Sequence, residues 1–519
     1  MSTTKASPAR PFAPLREPAT GRGPAPGEVF RALGTRPVIN CAGVRTDYGG
    51  SNPSDDVLAA MTSAAGAFVP LDELARGIGQ RLAELTGAEW GVVTAGTAAT
   101  LALTAAACIA GNDPEAVLRL PDTGALANRV LVPADHRFAY EQGLRLAGAE
   151  IVCAEDLDGL EDSLDGSVVL ICLLGRVDAR ARTPLPLVAE IARRRGVPVL
   201  VDAAGLSPSN PDRWLVQGAD LVVYSGGKYL RAPQSTAILI GRQDLCEAVW
   251  LMSAPHQSFG RAMKVGKEEM VGAVAAIERW ITAPAARAEI AAWKPRLDVI
   301  ERAVTAIPGV ATELFSSPGS VTAVRLRVRW DQSLIAFTAE ELRRFLLDQD
   351  PRILIHDFWS TENSVLLDPV NISDAETEVV AETLSHLLRN PGRVAKPAVR
   401  APASVDVSGQ WDLSVSFLIR SAAQVFRLTQ SGEDVTGVHL TEHSQGSVSG
   451  YVSANTVVLE AVHQATPLVR YYRFEGTYNS GTLKGAVSLG AATPEHRGPV
   501  FCRQFGTASW TARLQRAEV

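Results

Sequence analysis

At 519 residues the chain is too long for one hydrophobic core and implies about three domains. A hydrophobic share of 46% and a charged share of 20% are those of a globular protein, and the net charge of −6 argues against a nucleic-acid surface as its main feature. No apolar run approaches the ~20 residues that a membrane-spanning helix needs, and six scattered cysteines without CxxC or metal-ligand spacing read mostly as buried free thiols.

Residues 1–27 are rich in Pro, Ala, Gly and Arg and lack the apolar segment of a secretory signal. They read as a disordered arm, and the protein as cytoplasmic. Val38–Cys41 is a short strand running into Ala42-Gly43, with Asn40 at its end a candidate substrate contact. The polar loop Arg45–Ser51 follows, suited to substrate contacts, and then a helix over 54–65. Leu71–Thr86 is an amphipathic helix ended by Gly87. Trp90–Val93 is a strand, and Thr94-Ala95-Gly96-Thr97 turns into an Ala-rich helix reaching Ala110. Strand, small-residue turn and helix start together make an anion site of free N–H groups, to which the Thr94 and Thr97 hydroxyls would add donors. Arg129–Pro133 is a strand with His136 just beyond it, a flat ring placed to stack on an aromatic cofactor.

Ala149–Cys153 and Ser167–Leu174 are further strands, and Pro186–Arg195 is a helix. The apolar run Val197–Val201 ends in Asp202-Ala203-Ala204-Gly205, and Ala219–Tyr224 ends in Ser225-Gly226-Gly227-Lys228. An acid and a lysine at the ends of two core strands suit one cofactor held from two sides. Pyridoxal 5'-phosphate needs that pairing, because its aldehyde condenses with a lysine amine and its ring nitrogen is kept protonated by a carboxylate. Strands alternating with helices predict an α/β fold with a mostly parallel sheet, and ligands of such sheets sit at strand C-terminal ends. Gln234–Ile240 is the next strand. A basic loop, with Arg261, Lys264 and Lys267, precedes the helix Glu268–Trp280 and is a second anion candidate.

The cofactor domain is assigned to 28–283. A small α+β domain follows over 284–392, with helices Trp293–Ala306, Thr338–Gln349 and Asp374–Leu388 and strands Thr322–Val328, Arg352–His356 and Ser364–Leu367. Arg352, at a strand start, and Arg45 are the candidates for a substrate carboxylate. Residues 393–404 are a proline-containing linker. From 405 to 519 eight short strands at close spacing predict an up-and-down β-meander, curled into a barrel or half-barrel. Trp411 and Trp510 are expected in its core. It contains no evident polar constellation, so it reads as a structural or assembly module, with a small internal ligand as the alternative.

These residues together resemble the fold-type I pyridoxal-phosphate enzymes, and more narrowly the SelA-like branch that contains selenocysteine synthase and D-glucosaminate-6-phosphate ammonia-lyase. The similar stretches are Val38-Ile39-Asn40, Gly49-Gly50-Ser51, Leu85-Thr86-Gly87-Ala88, Val201-Asp202-Ala203-Ala204, Tyr224-Ser225-Gly226-Gly227-Lys228, Pro233-Gln234-Ser235-Thr236 and Lys264-Val265-Gly266-Lys267-Glu268-Glu269. The resemblance implies that Lys228 is the Schiff-base lysine and proton carrier, and that Asp202 pairs with the ring nitrogen. It also implies that Gly96, Thr97 and Ser225 hold the phosphate and that His136 stacks on the ring, with His136 or Lys228 protonating a leaving hydroxyl. Arg261, Lys264 and Lys267 would face a substrate or cofactor phosphate. Arg231 and Ala232 depart from the family pattern, and Arg231 would place an added charge near the cofactor. The implied activity is α,β-elimination on a small polar amino acid, phosphorylated and sugar-derived ones included, by at least a homodimer. Transamination, selenium- or sulfur-transferase-like activity and a non-enzymatic ligand-binding role remain open at this point.

Overall fold

A computed structural model describes residues 27–316, 324–356, 360–394, 400–492 and 505–515. The expected disordered arm, apart from Gly27, and Cys502 lie outside them. β1 (Val38–Cys41) opens into the loop that carries residues 42–51. The central sheet then takes β2 (Trp90–Thr94), β3 (Arg129–Leu131), β4 (Glu150–Val152), β5 (Val168–Leu174), β6 (Val199–Asp202), β7 (Leu221–Ser225) and β8 (Ala237–Gly241). Their spatial order is β2-β8-β7-β6-β5-β3-β4. Only β8 runs against its neighbours; the other pairings are parallel.

The central strands are apolar along their length because helices cover both faces. Val199 and Val201 of β6 join Ile78, Leu82, Val188 and Ile277 in one core. Leu200 faces the other way, with Leu101, Leu103, Cys246 and Val249. The first layer includes the helix Leu71–Thr86, which buries Ala75, Ile78, Leu82 and Leu85 and ends at Gly87 with φ +72°. Gly79 lets this helix lie against β2, since a Cβ there would sit 2.2 Å from the Trp90 indole. The helix Thr97–Ala110 forms part of the second layer and is buried over most of its length.

The small domain is built on β9 (Val310–Phe315), β10 (Arg325–Trp330), β11 (Arg352–Ile355) and β12 (Ser364–Leu367). β10 is the middle of an antiparallel β12-β10-β9 sheet, and β11 pairs in parallel with β1. Val38–Cys41 therefore belongs to the small domain's sheets and not to the cofactor domain where its sequence position puts it. Trp330, Phe337, Leu342 and Leu384 fill the core there, under the helices Pro284–Thr305, Ala339–Asp348 and Asp374–Arg389.

Eight further strands close into an antiparallel barrel, β20 pairing with β13. They are β13 (Gly409–Ser416), β14 (Ser421–Ser431), β15 (Asp434–Leu440), β16 (Gln445–Ser453), β17 (Thr456–Ala465), β18 (Leu468–Asn479), β19 (Thr482–Ala492) and β20 (Thr507–Leu514). Alternate residues point inward, and Trp411, Phe426, Phe474 and Trp510 fill the interior. Phe426 meets Phe474 edge-on with ring centroids 4.9 Å apart.

The barrel interior also holds a polar constellation that the sequence reading did not find. His439 and His463 are fully buried, with His463 Nε2 2.9 Å from His439 Nδ1. The Gln424 oxygen lies 2.9 Å from His439 Nε2 and accepts from it. His439 Nδ1 must then accept from His463 Nε2–H, and His463 Nδ1 accepts from the Ser444 hydroxyl at 2.7 Å. Both rings are thereby fixed as neutral tautomers. Gly446 makes room for them, since a Cβ there would lie 2.6 Å from His463 Nε2.

Cys41, Cys172 and Cys246 are buried, Cys108 is partly so and Cys153 is exposed, all as free thiols. No helix among the described residues is long and apolar enough to cross a membrane.

Candidate active site

The C-terminal ends of β2, β5, β6 and β7 converge on one cavity of about 340 Å³. At β2, Gly96 turns the chain with φ +91° and caps the helix Thr97–Ala110. The first helical bond in this stretch runs from Thr100 N–H to the Gly96 oxygen, so the N–H groups of Thr97, Ala98 and Ala99 have no intrahelical acceptor. The Thr97 hydroxyl is buried without a partner. The Thr94 hydroxyl, expected as a second donor, instead bonds the Thr100 hydroxyl at 2.6 Å and is used up within the fold.

At β6, Asp202 is 4% exposed and one of its oxygens accepts the Ala204 N–H at 2.9 Å. Burial lifts its carboxyl above the usual range, against the pull of Lys228, the Ala204 N–H and Arg176. At β7, Ser225 leads through Gly226 and Gly227 to Lys228. A Cβ at Gly226 would lie 2.0 Å from the Thr236 hydroxyl, so the turn that delivers the lysine is closed to larger residues. Burial pushes the Lys228 amine below its ordinary value. Asp202 opposes that, and Arg176 adds to it. The lysine turn is held from outside as well: Ser51 Oγ donates to the Lys228 oxygen at 2.6 Å and its N–H to the Gly227 oxygen at 3.1 Å.

The structure thus brings Ala95, Gly96, Thr97, Asp202, Ala204, Ser225 and Lys228 to one wall system. It does not bring His136. That ring is fully buried, with Nδ1 accepting the Leu174 N–H at 3.0 Å and Nε2 bonded to the Thr183 oxygen at 3.0 Å. Both nitrogens are occupied by the backbone, and burial keeps the ring neutral by lowering its pKa. The stacking and proton-donor roles expected of His136 are therefore corrected: it braces β3 against β5, and Phe138, Ala139 and Tyr140 reach the cavity in its place.

Other expected contacts are also engaged elsewhere. Asn40 closes its own turn, with Nδ2 to the Gly43 oxygen at 3.1 Å and Oδ1 to the Ala42 N–H at 2.9 Å. Arg352 donates to the Leu347 oxygen at 2.7 Å and the Arg36 oxygen at 3.3 Å, inside the small domain. Lys267 is taken by the Ala64 oxygen at 2.8 Å and by Glu268. Arg45 pairs with Asp47 at 2.7 Å, next to Thr46 on the cavity wall. Arg261 is partly buried and Lys264 exposed, and neither lines the cavity. Arg231 has φ +56°. Its guanidinium binds Glu289 at 2.5 Å and the Asn52 oxygen at 2.7 Å, so its charge is paired there, and it does not line the cavity.

Sequence reasoning missed Arg176, Tyr140 and Gln234 on the wall. For Arg176 a signal existed: Gly175-Arg176 follows the apolar run of β5 as Asp202 and Lys228 follow theirs.

A buried lysine–carboxylate pair beside a helix start with an orphan hydroxyl fits pyridoxal phosphate. Thr97, Ser225 and the free N–H groups would take its phosphate, Asp202 its ring nitrogen and Lys228 its aldehyde. Fold and site together define a fold-type I pyridoxal-phosphate enzyme. The aminotransferase class-V family model matches residues 51–265. Over 376 residues the chain is 32% identical to the 5'-C-glycyluridine monooxygenase-decarboxylase of Streptomyces sp, covering 70% of this chain and 92% of that protein. It is 27% identical to the D-glucosaminate-6-phosphate ammonia lyase of Salmonella typhimurium, covering 69% and 97%. The solved structure of a D-glucosaminate-6-phosphate ammonia-lyase superposes with a TM-score of 0.59 at 26% identity, over 70% of this chain and 99% of that one. An L-seryl-tRNA(Sec) selenium transferase of Moorella thermoacetica is 27% identical over 50% of this chain and 60% of that protein. The chain belongs to the SelA-like branch of the fold-type I enzymes, whose cofactor is pyridoxal 5'-phosphate.

Proposed function

We propose that the protein is a lyase that removes ammonia from a small, sugar-derived amino acid by α,β-elimination, leaving a keto acid. The observation that carries this reading is the Lys228–Asp202 pair, buried in one cavity beside the Thr97 anion site. The relatives named for D-glucosaminate-6-phosphate and 5'-C-glycyluridine support the substrate class, since each name describes an amino acid borne on a sugar framework. Bound pyridoxal phosphate supplies an electron sink for a bond broken at the amino acid's α-carbon. Asp202 would hold a proton on the ring nitrogen, the positive charge of the protonated ring favouring its carboxylate form. The Lys228 amine, poised toward its neutral form, would take the proton from the α-carbon. With His136 committed to the backbone, Lys228 would also carry that proton to the leaving hydroxyl.

The proposed assembly is a homodimer. Arg261 and Lys264 make no ion pair among the described residues, and their loop would then be free to meet a phosphate at a partner's site. The proposed compartment is the cytoplasm, in keeping with the free thiols.

The test is a panel of serine, glucosaminate and glucosaminate 6-phosphate, incubated with the protein and pyridoxal phosphate and read for ammonia and keto acid. Ammonia release without any added keto acid is expected, and its absence in Lys228→Ala. Turnover only with an added keto acid would establish transamination instead. A second reading, oxygen-dependent decarboxylation of a glycyl nucleoside, is favoured by the similarity to the glycyluridine enzyme; dioxygen uptake with that substrate would select it.

A further inference from the structure

We infer that Arg176, at the end of β5, binds the substrate's α-carboxylate, so that the cation for this group comes from the cofactor sheet and not from the small domain. The inference rests on the reading of the cavity as a pyridoxal-phosphate site.

The place of Arg176 is fixed by the backbone. Leu174 pairs with Asp202 in the sheet, and the next residue's N–H, that of Gly175, donates to the Asp202 oxygen at 2.9 Å. Arg176 therefore leaves the sheet directly beside Asp202 and lines the cavity. Gly175 permits the approach, since a Cβ there would lie 3.1 Å from the Trp214 ring and 3.2 Å from the Asp202 oxygen.

Order across the sheet gives the rest. From β2 through β7 and β6 to β5, the cavity wall carries the Thr97 helix start, then Ser225, then Asp202, then Arg176. The β7 end that leads to Lys228 thus lies between the Thr97 helix start on one side and the Arg176 guanidinium's strand on the other. A bound phosphate and a substrate carboxylate repel each other, and separate places along the wall reduce that repulsion. A guanidinium's planar fork matches a carboxylate through two parallel hydrogen bonds. The charge of Arg176 reaches the catalytic pair, drawing down both the Asp202 carboxyl and the Lys228 amine.

Four arginines of the surrounding elements are bound within the fold. Arg325 is buried against Asp368 at 3.0 Å and the Tyr229 hydroxyl at 3.0 Å. Arg231 and Arg279 share Glu289. Arg352 binds two backbone oxygens.

Two small aminooxy compounds test this without knowledge of the substrate. In aminooxyacetate and in O-methylhydroxylamine the aminooxy nitrogen replaces the Lys228 nitrogen on the cofactor's aldehyde carbon and frees the lysine amine, and the loss of visible absorbance reports the rate. Only aminooxyacetate carries a carboxylate. The wild-type protein loaded with pyridoxal phosphate is expected to react about tenfold or more faster with aminooxyacetate, the scale of one charge-assisted contact. Arg176→Gln should bring the ratio toward one, the O-methylhydroxylamine rate of the same variant dividing out any change in the reactivity of the Lys228 linkage itself. Arg176→Lys should restore part of the preference, and Arg352→Gln should keep all of it. A ratio that persists in Arg176→Gln, a ratio that collapses instead in Arg45→Gln, or loss of cofactor binding in Arg176→Gln would overturn the assignment. A wild-type protein whose visible band is absent would overturn the pyridoxal-phosphate reading itself and the inference with it.

Discussion

Two threonines near the start of one helix show how little separates a ligand group from a structural one. Thr94 and Thr97 sit on either side of the Ala95-Gly96 turn, yet Thr94 bonds Thr100 and Thr97 bonds nothing. Thr97→Val removes the only hydroxyl of the two that is open to a ligand, and should weaken pyridoxal phosphate binding by about tenfold, the scale of one hydrogen bond to a charged group. Thr94→Val should lower thermal stability and leave cofactor affinity near wild type. A spectral titration of the cofactor into each variant checks both; the opposite ranking would place the phosphate elsewhere. At this scale the sequence was informative where a side chain leaves a core strand at its C-terminal end, because the strand direction sets where that residue goes. Asp202, Ser225 and Lys228 are of this kind. It was uninformative for His136, whose ring direction depends on Leu174 and Thr183, residues brought near only by folding.

Among the elements, the barrel gives the sharpest expectation. Burial holds His439 down to about 3 and His463 to about 4, with each lowered further by a neighbouring group, His463 and Arg470 respectively. Both groups are neutral in the folded state and take up protons on unfolding below their ordinary value of about 6.5. The unfolded chain therefore binds more protons between roughly pH 6.5 and 4, and stability falls as pH drops through that window. At pH 5 the loss is on the order of 2 kcal/mol for each histidine, before coupling between them. Calorimetry of the full chain at pH 7.5 and pH 5 should show the barrel transition moving to lower temperature, and His463→Gln should shrink that movement. Equal pH dependence in the variant would mean the pair is not responsible. The strands themselves were legible as short runs at close spacing, and the inward direction of His439 follows in retrospect from period-two alternation, since it lies four residues from buried Val435. β9, with its mixed burial, offered no such alternation.

Across the whole molecule, the small domain reaches the active site through a short chain of polar contacts. Asp368 is fully buried and bonds Arg325, whose other arm holds the Tyr229 hydroxyl, one residue beyond Lys228. Asn371 donates to the oxygens of Gly43 at 2.9 Å and Gly50 at 3.0 Å, fixing the loop that props the lysine turn. Arg325→Met leaves Asp368 buried without its cation and should cost about 3–5 kcal/mol, read as a lower unfolding temperature. Tyr229→Phe removes one hydrogen bond and should cost about 1 kcal/mol. Equal and small effects from both would show that the domains are coupled by apolar packing alone. The change to an all-β C-terminal part was legible from its pattern of short strands. The pairing of β1 with β11 was not, because Val38 and Arg352 lie far apart in the chain and only the folded chain brings them together.

The central claim is that Lys228 carries pyridoxal phosphate between Asp202 and the Thr97 helix start. The direct measurement is borohydride reduction of the cofactor-loaded protein followed by peptide mass mapping. The account predicts a single phosphopyridoxyl group on the peptide containing Lys228, absent when excess aminooxyacetate is added before reduction. A label on Lys264, Lys267 or another lysine, with Lys228 unmodified, would contradict it.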